Sequence, residues 1–244
     1  MAESGAHTVK SFDDDLAQLR AVITRMGGLC ESQISDAVEA LVGRNIEAAG
    51  TVIDNDKRLD ALEAEAEALA VRIIALRAPL ADDLREIVAA LKIAGVLERI
   101  GDYAKNIAKR ASVVAQSQPV GPAVIVPEMA RVVVEILHET LDCFVDRDPV
   151  RALALLSRDQ QVDEFYNSLF RSLLTFMMEN PHYITPSTHL LFVAKNLERI
   201  GDHATSVAEM VHFAVTGQRP AERPRNDFAS SVYATDLMPP PPTA

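Results

Sequence analysis

Four pairs of acids, each pair four residues apart, stand at matched positions in this chain of 244 residues: Asp56 and Asp60, Glu98 and Asp102, Asp159 and Asp163, Glu198 and Asp202. On a helix, residues four apart share a face, and two like charges there oppose each other by about 0.2–0.5 kcal/mol. Something must offset that repulsion, and Arg99 and Arg199 do not lie between the acids on that face. Carboxylate oxygens are hard ligands, so converging pairs suit a hard cation. Asn106, one turn beyond Asp102, extends the first row as a neutral oxygen ligand, with Ser206 as its counterpart. An acid row on a single helix is ordinarily a solvated face; four at matched positions favour bound metal. Iron, manganese, magnesium and zinc all fit, because an oxygen donor set does not choose among them.

The acids belong to an internal repeat. Leu97-Glu98-Arg99-Ile100-Gly101-Asp102 returns letter for letter as Leu197-Glu198-Arg199-Ile200-Gly201-Asp202. Upstream, Val42, Arg44, Ala49, Asp56 and Asp60 match Val145, Arg147, Ala152, Asp159 and Asp163 at a slightly longer offset. A self-match at fixed spacing means one structural unit used twice. Within each copy the steps Ile93, Leu97, Ile100, Ala104, Ile107 and Val193, Leu197, Ile200, Ala204, Val207 mark a buried helical seam, and the acids flank it. Gly101 and Gly201 each cost a helix about 1 kcal/mol relative to Ala. Close approach of another helix, a ligand or a partner would justify them.

The elements that must position these rows are helices. Periodic apolar stretches run from about Phe12 to Gly43, Ile46 to Ala78, Leu84 to Ala115, Glu128 to Asp146, Pro149 to Glu179 and Ser187 to Thr216. Gly27-Gly28 is a possible bend in the first. Pro79 ends the second, and Asp148-Pro149 is an N-cap with proline at the first helical position. Short loops make neighbouring helices antiparallel. Asp60 and Glu98 lie equally far from Pro79, so the rows of the second and third helices meet at one height. The predicted fold is all-α, two tandem three-helix bundles over residues 12–116 and 128–216. An N-terminal tail (1–11), a Pro/Gly linker (117–127) and a disordered Pro-rich tail (217–244) complete the chain.

Composition excludes several functions. The net charge of −11 lacks the cationic excess that releases counterions from nucleic acid, so nucleic-acid binding is not expected. No apolar run reaches the roughly 20 residues that span a bilayer, and the polar N-terminus is unlike a signal peptide. A soluble, cytoplasmic protein without membrane insertion is expected. Cys30 and Cys143 occupy unmatched positions and read as buried hydrophobes. No Gly-rich phosphate loop and no Gly-x-Ser-x-Gly elbow is present. A di-iron carboxylate enzyme needs Glu-x-x-His steps. Glu135-x-x-His138 and Glu209-x-x-His212 qualify by spacing, yet they fall toward opposite ends of their helices and have no counterpart in the first repeat. His203 follows Asp202 but is replaced by Tyr103 in the first copy, and reads as a surface histidine. A metal-free acidic scaffold is the main alternative.

The paired Glu-Arg-Ile-Gly-Asp segments, with Ala104 and Asn106-Ile107-Ala108 following the first, resemble the PhoU family over about residues 10 to 216. These are regulatory accessory proteins of the bacterial phosphate-specific transport system. The resemblance implies two three-helix bundles and metal clusters on the bundle surface, held by Asp56, Asp60, Glu98 and Asp102, then by Asp159, Asp163, Glu198 and Asp202. Ser206 departs from the Asn often found at that place. The resemblance also implies a non-enzymatic role, repressing phosphate uptake and the phosphate-starvation response when phosphate is plentiful. Its implied partners are the phosphate ABC transporter ATPase and a sensor histidine kinase, and its implied form a homodimer.

Overall fold

A computed structural model describes residues 3–220, with side chains from residue 11 onward. The disordered-tail expectation falls mainly on residues 221–244, outside the described residues. Seven α-helices follow in order: α1 (Glu3–Val42), α2 (Ile46–Arg77), α3 (Ala81–Gln116), α4 (Val126–Asp146), α5 (Pro149–Leu155), α6 (Asp159–Glu179) and α7 (Ile184–Thr216). Among the described residues there is no strand.

The helices begin and end where the side chains require. The Asn45 side chain caps α2 by accepting from the Ala48 amide at 3.0 Å. Asp148 caps α5 by accepting from the Val150 and Arg151 amides, both at 3.0 Å. Each cap satisfies amides that a helix start leaves without partners. The residue before each cap is an arginine in the left-handed region, Arg44 and Arg147, both with φ 55°. Arg44 uses the position to donate to the carbonyls of Ala115 and Ser117, tying the far end of α3 to the end of α1. Gly217 closes α7 with φ 72°, in the left-handed region that glycine adopts without strain.

Bundle one is α1–α3 and bundle two is α4–α7. The seam read from the sequence is the core: Ile93, Leu97, Ile100, Ala104 and Ile107 are fully buried, as are Val193, Leu197, Ile200, Ala204 and Val207. Burying each large aliphatic side chain contributes about 1.5–3 kcal/mol. The bundles join through α3 against α7 and α1 against α4, leaving α2 and α6 on the outer flanks. Contacts run in reverse order along both joints. Tyr103 meets His203, Arg110 meets His189 and Arg85 meets Gly217. Gly27 meets Leu141 and Glu31 meets His138. A half-turn therefore relates the two bundles. The joint is also charged: Glu86, 4% exposed, takes Arg20 of α1 at 2.5 Å and Arg147, in the turn just after α4, at 3.0 Å.

Several expected boundaries change. α1 begins at Glu3, so most of the expected N-terminal tail is helical. It stays one helix through Gly27-Gly28; a Cβ on Gly27 would lie 2.2 Å from Leu141 Cδ1, so that glycine admits α4. The linker holds a 3-10 turn, Gly121–Ile125. The expected fifth helix is two. Amides of Leu156, Arg158 and Gln161 reach back only three residues, to Leu153, Leu155 and Arg158, and the tightened chain restarts at Asp159. Arg158, at the restart, holds Glu139 and Glu135 of α4.

Candidate functional site

The acids of bundle one converge in the groove between α2 and α3. Asp56 is 5% exposed, and it shares the ammonium of Lys105 with Asp102, whose Oδ1 lies 3.2 Å from Nζ. Glu98 sits at the other end of the same groove. Its carboxyl is held above the ordinary glutamate range by partial burial first, then by the fields of Asp102, Glu63, Asp60 and Asp56. Asp102, Asp60 and Asp56 belong to the rows read from the sequence, and Glu63 stands close to one turn beyond Asp60. Glu63 is raised as well, by burial and by Glu67 and Asp60, with Arg99 opposing. Asn106 is partly buried on the same stretch of α3.

Bundle two repeats the groove between α6 and α7 with different partners. The Glu198 carboxyl is raised by burial, opposed by Lys195, and raised further by Asp202 and Asp163. Lys195 donates to Glu198 Oε1 at 2.6 Å, and Glu198 Oε2 is buried with no hydrogen-bond partner among the described residues. Asp159 lies against α7: its Oδ1 is 3.4 Å from where a Cβ on Gly201 would stand. Ser206 turns back on its own helix and donates to the Asp202 carbonyl at 2.9 Å.

These features decide how well a hard cation fits. Acids raised by one another lack full neutralisation, and a buried carboxylate oxygen without a partner is costly to keep. Both conditions are relieved by a divalent ion. Among the described residues, however, no three His, Cys, Asp or Glu side chains are gathered as a ready-made metal site. Loading would therefore require side chains to turn toward the ion. Asp56, Asp60, Glu98 and Asp102 would hold it in bundle one, and Asp159, Asp163, Glu198 and Asp202 in bundle two. The ion would cancel the carboxylate repulsion and cross-link the two helices of each groove.

Three features escaped the sequence reading. The repulsion within each row is partly offset by a lysine, Lys105 or Lys195, three residues from the acid it meets. That spacing was a readable signal. His203 is not on the surface. It is half-buried and stacks on Tyr103 with ring centroids 5.5 Å apart, at the contact between α3 and α7. The candidate di-iron residues are dispersed: Glu135 pairs with Arg131 and Arg158, His138 faces Glu31, and His212 reaches the Gln218 carbonyl. Cys30 and Cys143 are buried and unlinked, Cys30 donating weakly to the Leu97 carbonyl.

Fold and groove together define a tandem helical-bundle protein with a duplicated carboxylate face. The PhoU domain model matches residues 23–111 and 126–211, and the chain belongs to that family. A phosphate-specific transport system accessory protein PhoU homolog of Zymomonas mobilis is 53% identical over 219 residues, covering 90% of this chain and 92% of the relative. The corresponding protein of Serratia marcescens is 35% identical and covers 87% of each chain. The crystal structure of PhoU from Pseudomonas aeruginosa superposes with a TM-score of 0.80 at 37% identity, over 85% of this chain and all of that one. The phosphate transport system regulatory protein PhoU from Streptococcus pneumoniae gives 0.80 at 25% identity, over 86% and 100%.

Proposed function

We propose that this protein is a non-enzymatic regulator of phosphate transport. The observation that carries this reading is likeness over nearly the full length to proteins named as accessory to the phosphate-specific transport system. In the finer form of the proposal it acts in the cytoplasm, as a homodimer. It contacts the phosphate ABC transporter ATPase and a sensor histidine kinase, and restrains uptake and the starvation response when phosphate is plentiful. No helix among the described residues is long and apolar enough to cross a membrane, which fits a protein that acts on a transporter without being part of its pore. The test is affinity capture from phosphate-replete and phosphate-starved cells. Enrichment of the transporter ATPase or the kinase supports the role; recovery of neither in both states ends it.

The metal clusters are part of the proposal. They rest on the carboxylates that raise Glu98 and on the orphaned oxygen of Glu198. Elemental analysis of protein purified without chelator is the direct measurement. Metal that disappears when Glu98, Asp102, Glu198 and Asp202 become Ala supports the clusters. A second reading, a metal-free acidic scaffold with the same partners, is favoured by the lysines already seated in each row. Folded protein free of metal would select it.

A further inference from the structure

Across the joint between α3 and α7 runs a cationic, aromatic strip, in a chain whose net charge is −11. Arg110 of α3 lies over the Phe192 ring of α7, its Cζ 4.3 Å from the centroid. Arg199 of α7 lies over the Tyr103 ring of α3 at 5.8 Å. Each helix thus lends the other one arginine and one ring, seven residues apart: Tyr103 and Arg110, Phe192 and Arg199. Seven residues are two helical turns, so the two stacks sit about 10 Å apart along the joint. Arg99 and His203 belong to the same strip: burial, then Arg99 and Arg199, hold the His203 pKa down.

Elsewhere in the chain arginines sit on acids, as Arg20 does on Glu86, Arg77 on Asp15 and Arg158 on Glu139. No carboxylate among the described residues is bonded to Arg99, Arg110 or Arg199. Arg110 is half-buried, burial lowers its pKa with no acid opposing, and its Nε is buried without an acceptor. It faces His189 Nδ1 at 3.3 Å, and the histidine pKa is lowered by burial and by Arg110. A desolvated cation without an anion is costly. Phe192 is 51% exposed, too open to be holding the core.

We infer that this strip is a docking surface for an acidic helix of a partner protein, two of whose carboxylates, seven residues apart, meet the outer edges of Arg110 and Arg199. A guanidinium stacked on a ring keeps its N–H edge free, and that edge matches a carboxylate in bidentate fashion. One phosphate ion is too small to reach both stacks, whereas a helix repeats its face at that interval. The acidic grooves border the strip on both sides: the field of Arg99 reaches Glu63, and that of Asp202 reaches His203. A broad acidic surface would be repelled there, so charge complementarity selects a single narrow helix whose flanks are basic. The inference goes beyond the regulatory reading and does not need metal in the grooves.

The experiment is fluorescence anisotropy of a labelled, alanine-based helical peptide titrated with the full chain. One peptide carries glutamates seven apart, flanked by lysines. A second has the same composition with the glutamates five apart, on different faces. The first should bind about tenfold more tightly, and Arg110→Gln and Arg199→Gln should each weaken it about tenfold. Arg110→Lys, which keeps the charge and loses the planar edge, should weaken it as well. Arg25→Gln, at an exposed arginine outside the strip, should leave it unchanged. Arg199 is exposed, so its loss tests the strip without disturbing the joint, and circular dichroism checks that the Arg110 variants remain helical. Equal binding of the two peptides, binding of neither, or binding untouched by Arg199→Gln overturns the inference. Displacement of the peptide by inorganic phosphate but not by chloride at equal ionic strength overturns it in favour of a free oxyanion. A dimer that light scattering shows to be lost in Arg199→Gln overturns it in favour of a second copy of this chain.

Discussion

Tyr103 and His203, at equivalent places in the two repeats, stack on each other where α3 crosses α7, and the histidine Nε2 lies 3.4 Å from the tyrosine hydroxyl. The two copies of the unit therefore touch at their own equivalent residues, as a half-turn demands. Burial lowers the His203 pKa, and Arg99 and Arg199 lower it further against the pull of Asp202.

That stack gives a pH dependence with a definite sign. The unfolded imidazole titrates near about 6.5, and the folded one below it. The stabilising contribution is full above the unfolded value and is lost as pH falls toward and through the folded one. His203→Gln should therefore melt with a smaller loss of Tm between neutral and mildly acid pH than the parent. His138 runs the other way, because its bond to Glu31 raises its pKa. Its contribution is full below the unfolded value and lost as pH rises through the folded one, so His138→Gln should make the parent's acid sensitivity steeper. Thermal melts across that range check both, and equal slopes in all three proteins would contradict the assignment.

Glu86 ties three helices of the two bundles with a buried carboxylate. Glu86→Gln keeps the shape and removes the charge, leaving Arg20 and Arg147 partly solvated but unpaired. A charged hydrogen bond of this kind contributes about 1.5–3 kcal/mol, and partial exposure of both arginines places the expected loss near the lower figure. Urea unfolding measures it; a change below about 0.5 kcal/mol would show that apolar packing alone holds the joint.

The repeat glycines should respond oppositely to alanine. A Cβ on Gly101 would lie 2.2 Å from Leu59 Cδ2, and Leu59 is fully buried. Overpacking of that kind costs about 1–3 kcal/mol, against about 1 kcal/mol of helix propensity gained. Gly101→Ala should lower stability by about 1 kcal/mol on that balance. At Gly201 the nearest neighbours, Asp159 and Val162, stand at 3.4 Å, an ordinary contact. Gly201→Ala should be neutral or raise stability by about 0.5–1 kcal/mol. The expectation that a close helix explains the glycine holds for Gly101, through Leu59.

Added manganese should raise Tm if the grooves bind it, by about 2.7 kcal/mol of stability at a hundredfold excess over Kd. The rise should vanish when Glu98, Asp102, Glu198 and Asp202 are all Ala. A rise of equal size in that variant would assign the effect to scattered surface carboxylates.

The fold was legible because its cause is periodic. The seam residues of α3 and α7 repeat at helical spacing, and each copy checks the other. Asp148-Pro149 announced one helix start. The break before Asp159 was not legible: Leu155 and Leu156 continue the apolar pattern, no glycine or proline intervenes, and the turn is held by Arg158 reaching a helix distant in sequence. Equal distance from a loop fixes equal height, which is why Asp60 acts on Glu98 and Asp163 on Glu198. The repeated letters do not reveal the lysines, because Lys105 and Lys195 stand where the copies differ. His203 needed the half-turn, a relation between bundles that spacing along one chain does not contain.

Arg44 and Arg147 hold a backbone shape that suits glycine, yet glycine has no guanidinium to stretch across to Ala115, Ser117 or Glu86. Relaxing either turn would untie a distant helix. Local discomfort at two duplicated corners is thus the condition for long-range fastening of the whole molecule.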